Sequence, residues 1–145
     1  MAAATPISQG IDPEVHQLCE EFRRDYRAVQ AAFVQSGKYA LMTVFHNQGR
    51  WDTSNVEYVD GRIVAYDKRQ PTSRMHHTDY GLGVFTATAF AAVSEDRSYD
   101  LAVLYQELLK SGQLAAYEVS QRFYEVGSFA GLEELRLYLA ALSFP

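Results

Sequence analysis

Tyr66-Asp67-Lys68-Arg69-Gln70-Pro71-Thr72-Ser73-Arg74-Met75-His76-His77-Thr78-Asp79-Tyr80-Gly81-Leu82-Gly83-Val84-Phe85 is the stretch around which the chain is organised. It starts where an apolar run, Ile63 to Tyr66, meets two adjacent opposite charges, Asp67 and Lys68. A basic loop broken by Pro71 follows, carrying Arg69 and Arg74. The chain then re-enters a strand-like segment, Asp79 to Phe85, interrupted by Gly81 and Gly83. Glycine weakens a strand unless a ligand or another backbone must approach it closely. A cation at one strand end and a side-chain-free surface on the next make a cradle for a phosphorylated, hydroxyl-rich ligand. The same residues also compose an ordinary hairpin with a solvated basic loop and a surface ion pair. The residues alone leave both readings open.

Upstream, Asp12-Pro13-Glu14 reads as a helix start, with Asp12 as N-cap and Pro13 in the first turn. Val15, Leu18, Cys19, Phe22, Tyr26, Val29 and Phe33 recur at helical spacing as far as about Gln35, and Gly37 stops the run. Lys38 to His46 reads as a strand. Leu41, Thr43 and Phe45 fall on one face and Ala40, Met42 and Val44 on the other, the pattern of a buried central strand. Asn55 to Val59 and Arg62 to Asp67 read as strands joined by Asp60-Gly61, a strong hairpin signal. Downstream, a short helix is expected over Thr86 to Val93. A clear one follows, started by Asp100 and ended by Gly112, with Leu101, Leu104, Tyr105, Leu108 and Leu109 at helical spacing. Leu114 to Ser120 and Arg122 to Val126 read as strands, and Ala130 to Leu142 as a last helix. Strands and helices alternate, which predicts an α/β layered domain.

The 145 residues are one domain's worth of chain, and 48% hydrophobic residues with 10 Tyr and 8 Phe supply a core. Thirteen Lys and Arg against 18 Asp and Glu give a net charge of −5, which argues against a dedicated nucleic-acid or membrane-surface binder. No apolar run approaches the ~20 residues that span a bilayer. The N-terminus lacks the pattern of a secretory signal. A lone cysteine, Cys19, rules out an internal disulfide and fits a reducing cytoplasm.

The order Asp67-Lys68-Arg69-x-Pro71-Thr72-x-Arg74-Met75, followed by Asp79-Tyr80-Gly81-Leu82-Gly83-Val84-Phe85, resembles the sugar-binding half of the sugar-phosphate nucleotidyltransferases. The likeness is to their heptose-phosphate and mannose-phosphate branch and runs from about Asp25 to about Leu142. It implies a partial Rossmann-like mixed sheet with flanking helices, lacking the N-terminal nucleotide-binding half. Residues 1–24 then form a divergent leader, and residues 25–145 the sugar-binding part. The family pattern starts a helix near Asp25 rather than at Pro13. It also implies that Lys38 to His46, Asn55 to Asp67 and Asp79 to Phe85 share one sheet, with an uncovered edge near Lys38 to His46.

By the same resemblance Lys68 grips the phosphate of a sugar 1-phosphate, a role that suits a compact ammonium. The residues alone equally allow a strand-end lysine paired with Asp67. Asp67 stands where the family accepts hydrogen bonds from sugar hydroxyls, Asp79 and Gly81 where its strand lines the pocket, and Asn55 near the sugar. Glu125 matches a carboxylate that helps hold Mg²⁺ in the full family enzyme. One carboxylate is an incomplete magnesium site, and Glu125 reads equally well as a strand-end acid. No catalytic residue is assigned. The family's Gly-x-Gly-Thr-Arg triphosphate loop has no counterpart here, so the resemblance implies a chain inactive by itself. It would bind a sugar 1-phosphate, and a nucleoside triphosphate only with a complementing subunit or within a homo-oligomer. The rival reading is a non-catalytic interaction module or remnant.

Three further features are weighed on the residues. His76 and His77 are adjacent on an extended segment, so their side chains diverge and do not chelate one ion together. Arg69 and Arg74 either extend an anion-binding surface or solvate the loop. Trp51 reads as a packing anchor rather than a stacking platform.

Overall fold

The computed structural model describes residues 26–94, 98–122 and 128–141. The chain is helical over residues 26–36 (α1) and then enters β1 (Ala40–Phe45). A hairpin of β2 (Val56–Val59) and β3 (Arg62–Tyr66) follows, then β4 (Thr78–Phe85) and a single 3₁₀ turn, Ala87–Phe90. The remainder is α2 (Leu101–Lys110), β5 (Leu114–Val119) and α3 (Phe129–Ala141). The expected helix over Thr86 to Val93 is therefore only this short turn. The strand expected over Arg122 to Val126 and the helix start, at Pro13 or Asp25, lie outside or at the limit of the described residues.

β1 is the middle of a three-stranded sheet of order β4-β1-β5, antiparallel to β4 and parallel to β5. All six of its residues are buried, as its two apolar faces require. On one face Ala40, Met42 and Val44 pack with Leu104, Tyr105 and Leu108 of α2 and with Val56, Ile63 and Tyr66 of the hairpin. On the opposite face, Thr43 and Phe45 lie level with Tyr117 and Val119 of β5. There a cleft of about 440 Å³ is lined by Tyr26 and Val29 of α1 together with Leu82, Tyr117 and Val119.

Two expectations about the sheet are corrected. The hairpin forms its own two-stranded sheet, joined to the main one by a single antiparallel bridge, Val56 to His77. It folds over the sheet because Val56, Ile63 and Tyr66 are needed to cover Met42 and Val44. β1 is also not an uncovered edge. β4 and β5 occupy both its sides, since its residues are too apolar to leave either one to water.

Local signals act where the sequence places them. Asp60 and Gly61 both take positive φ, 49° and 78°, the turn that suits a two-residue hairpin. The Asp100 carboxylate accepts from Ala102 N at 2.9 Å and caps α2. At the other end Gly112, with φ 70°, lets Gly112 N and Gln113 N return to the carbonyls of Leu109 and Leu108. This paired closure aims the chain straight into β5.

Candidate functional site

The site assembles where β3 ends and β4 begins. Asn55 is buried just ahead of β2, and its Oδ1 accepts from the backbone N–H of Asp79 at 3.0 Å. Its carbonyl accepts from Asp67 N at 3.0 Å, so one residue fixes both strand ends. The Asp79 side chain, 10% exposed, then gathers three donors. Gly81 N donates to Oδ1 at 2.9 Å, while Tyr66 Oη donates to Oδ2 at 3.3 Å and Lys68 Nζ lies 3.4 Å from the same oxygen. Four of the residues singled out in the sequence thus meet at Asp79: Lys68 and Gly81 on its carboxylate and Asn55 on its backbone N–H.

Lys68 therefore pairs with Asp79 rather than with its neighbour Asp67. Its side chain is half exposed, and an ammonium has three donors, so capacity for an incoming anion remains. Asp67 turns its Oδ1 onto the N–H groups of Arg69 and Gln70, at 2.8 and 3.0 Å. Those bonds, that from Gln70 foremost, hold its carboxyl below the usual range. Beside them a depression of about 260 Å³ is lined by Asp67, Lys68, Arg69, Gln70, Asp100 and Gln106, among others.

The two glycines divide their labour. Along β4, the four residue steps from Gly83 back to Asp79 span what two steps of β1 span, Met42 to Val44. Gly81, at φ 90°, sits in that bulge. A Cβ on Gly81 would meet no atom within 4 Å, which leaves its surface open. The space beside Gly83 is filled: a Cβ there would lie 2.1 Å from the Tyr105 hydroxyl. The side-chain-free cradle is therefore open at Gly81 and occupied at Gly83.

The arginines are engaged. Arg74 grips the nearly buried Glu57 carboxylate through Nε at 2.9 and 3.1 Å, and Arg69 lies 3.5 Å from Asp100. Trp51, 40% exposed, packs one face on Phe45, ring centroids 5.8 Å apart, with the Arg122 guanidinium 4.5 Å from its indole. His77 is buried and His76 exposed, the divergence expected of neighbours on an extended chain. Glu125 lies outside the described residues. Among the described residues no group of three His, Cys, Asp or Glu side chains is placed to hold a metal ion.

Sequence reasoning missed Tyr66, Gln106 and Tyr105. Burial, followed by the charge of Asp79 and the hydrogen bond to it, pushes the Tyr66 phenol far above its ordinary range and keeps it a donor. Gln106 of α2 donates to the Tyr66 carbonyl at 3.1 Å. Tyr66 carried a signal, since it ends the apolar run directly before the charged pair. The contact from Gln106 follows only from how α2 crosses the hairpin.

No family model and no curated protein matches the chain. Among solved structures it resembles a Bacillus anthracis protein described as a glucose-1-phosphate thymidylyltransferase, solved in complex with sucrose. The TM-score is 0.67 and the identity 14%, over 83% of this chain and 51% of that one. At this identity the likeness shows the fold: a mixed α/β arrangement like part of a sugar-phosphate nucleotidyltransferase. The chain spans about half the length of that protein. The likeness does not reach the heptose-phosphate and mannose-phosphate branch. No described helix is long and apolar enough to cross a membrane.

Proposed function

We propose that this chain carries the sugar-phosphate-binding part of a sugar-1-phosphate nucleotidyltransferase, of the heptose-phosphate and mannose-phosphate branch. In the complete reaction a phosphate oxygen of the sugar 1-phosphate attacks the α-phosphorus of a nucleoside triphosphate. A new P–O bond forms as pyrophosphate leaves, giving the nucleoside-diphosphate sugar. Catalysis of that kind rests on positioning and on neutralising charge. Lys68 holds the sugar phosphate. Asn55, Asp67, Asp79 and Gly81 shape the sugar pocket, and Glu125 contributes one carboxylate to Mg²⁺. The triphosphate is held with a complementing subunit, and the described part does not turn over by itself. The observation that carries the reading is the convergence of Asn55, Lys68 and Gly81 on the largely enclosed Asp79, Asn55 on its N–H and the other two on its carboxylate, in a fold resembling part of a thymidylyltransferase.

Titration calorimetry with a panel of aldose 1-phosphates tests it. Wild-type protein is expected to bind weakly. Lys68→Met keeps the aliphatic stem and removes the charge, and should weaken binding roughly ten- to a hundred-fold, the worth of one charge-assisted hydrogen bond. Arg74→Met should leave affinity unchanged, because Arg74 is committed to Glu57. Equal binding by wild type and Lys68→Met, or no binding by either at millimolar ligand, overturns the assignment. A second reading, a non-catalytic interaction module, draws on α3. No residue of that helix is buried, and Phe129, Leu132, Leu137 and Tyr138 are exposed.

A further inference from the structure

His77 is the one point at which the hairpin sheet is laddered to the rest of the described fold. Its N–H donates to the Val56 carbonyl at 3.2 Å, and its own carbonyl accepts from Asn55 N and Val56 N, both at 2.9 Å. Its side chain reaches across the sheet to β5, where Nε2 lies 3.0 Å from Glu118 Oε1. The His46 ring, at the exit of β1, stacks on it with centroids 4.7 Å apart and planes 21° from parallel. Tyr58 of β2 closes a third side at 4.9 Å. Backbone and side chain of one buried residue thus touch three chain segments, the hairpin, the end of β1 and β5, at a single point. Neither the candidate pocket nor the fold accounts for a histidine there, since any strand residue could supply the bridge.

We infer that His77, Glu118 and His46 form a proton-operated latch, which fastens the β2–β3 hairpin to the central sheet near neutral pH and lets it loosen on acidification. With a neutral His77 ring, Nε2–H donates to the Glu118 carboxylate and the other nitrogen carries no charge into the packed interface. A second proton puts a cation between the hairpin and the sheet, face to face with the stacked His46 ring. A charged ring there has lost most of its water, and the electrostatic influence of His46 adds to the cost. The groups that face His77 are Glu118 from β5, His46 from the end of β1, Tyr58 from β2 and its chain neighbour His76. Tyr58 stays neutral throughout, because burial and then the Glu118 charge push its phenol up. For His77, burial is the largest influence and lowers its pKa below the ordinary 6.5. Glu118 opposes that shift, while His46 and His76 add to it. A depressed imidazole contributes stability that is whole above about 6.5 and is lost as pH falls through the lower, native value. The open hairpin then binds one proton more than the closed one, so the opening equilibrium grows by up to about tenfold per pH unit within that window.

The test needs no ligand, so it stands or falls separately from the sugar-phosphate reading. Amide exchange followed by NMR between pH 7.5 and 5, corrected for the intrinsic exchange rate, reports opening residue by residue. Protection at Asn55, Val56 and His77 should fall with acid while the α2 amides from Leu104 to Leu109 hold theirs. Two variants should then move in opposite directions. His46→Gln removes the stacked imidazole and its unfavourable influence on His77, and should lessen the acid-induced loss. Glu118→Gln keeps a hydrogen-bond acceptor but removes the opposing charge, and should deepen it. A merely structural contact would give both variants the same pH dependence as wild type. That result overturns the latch, as does loss of protection shared equally by the bridge and α2.

Discussion

Asp79 illustrates how much one largely enclosed carboxylate can organise. It fixes the phenol of Tyr66, the ammonium of Lys68 and the amide of Gly81, while its own N–H is held by Asn55. Removing a partner and removing the hub should therefore differ in size. Tyr66→Phe deletes one donor and keeps the ring, and should cost about 0.5–1.5 kcal/mol of stability. Asp79→Ala leaves three donors without their acceptor and should cost about 1.5–3 kcal/mol. Urea unfolding of both variants checks the order, and a larger loss for Tyr66→Phe would contradict it. At this scale the sequence was informative where the pattern is consecutive: Lys68, Asp79 and Gly81 stand in one motif-bearing stretch. It was silent where the partner arrives from a distant segment, as Gln106 does, because no local periodicity records which carbonyl an amide on a crossing helix will meet.

Among the elements, β4 and α2 are matched through a missing side chain. Tyr105 is buried over Gly83 and lies edge-on to Tyr66, ring centroids 5.9 Å apart. Gly83→Ala should destabilise the fold by about 1–3 kcal/mol, the ordinary range for overpacking. Combining it with Tyr105→Phe, which removes the atom 2.1 Å away, should recover a large part of that loss. A double-mutant cycle by thermal or urea unfolding measures the coupling, and strict additivity would show that the two sites do not meet. The glycines in this strand were visible in the sequence as places of close approach. What approaches Gly83 turns out to be a tyrosine of the protein itself. Both ends of α2 and the Asp60-Gly61 turn were readable because their causes are local. The division into two sheets was not, since strand periodicity gives the buried face of a strand but not its lateral neighbour.

For the whole molecule, β1 is the common wall of two packed layers. Alternation along Leu41 to Phe45 made that readable, because a strand apolar on both faces has to sit between layers. Met42→Ala empties a site of zero exposure that touches both α2 and the hairpin, and should cost about 2–5 kcal/mol. Chemical denaturation of the variant checks it, and a loss under 1 kcal/mol would mean that the layers close over the gap.

The parallel pairing of β1 with β5 has a consequence in time. β1 and β4 are both made long before β5, and the hairpin between them can close on itself as soon as its turn has formed. The second side of β1 waits for Leu114 to Val119 to leave the ribosome, so a nascent chain carries its most apolar strand with one flank bare until β5 follows. Pairing across so long a stretch of chain is slow to find, and it leaves that flank available to other nascent chains meanwhile. Folding of this protein should accordingly be limited by the arrival of β5, not by the segment that holds the binding residues.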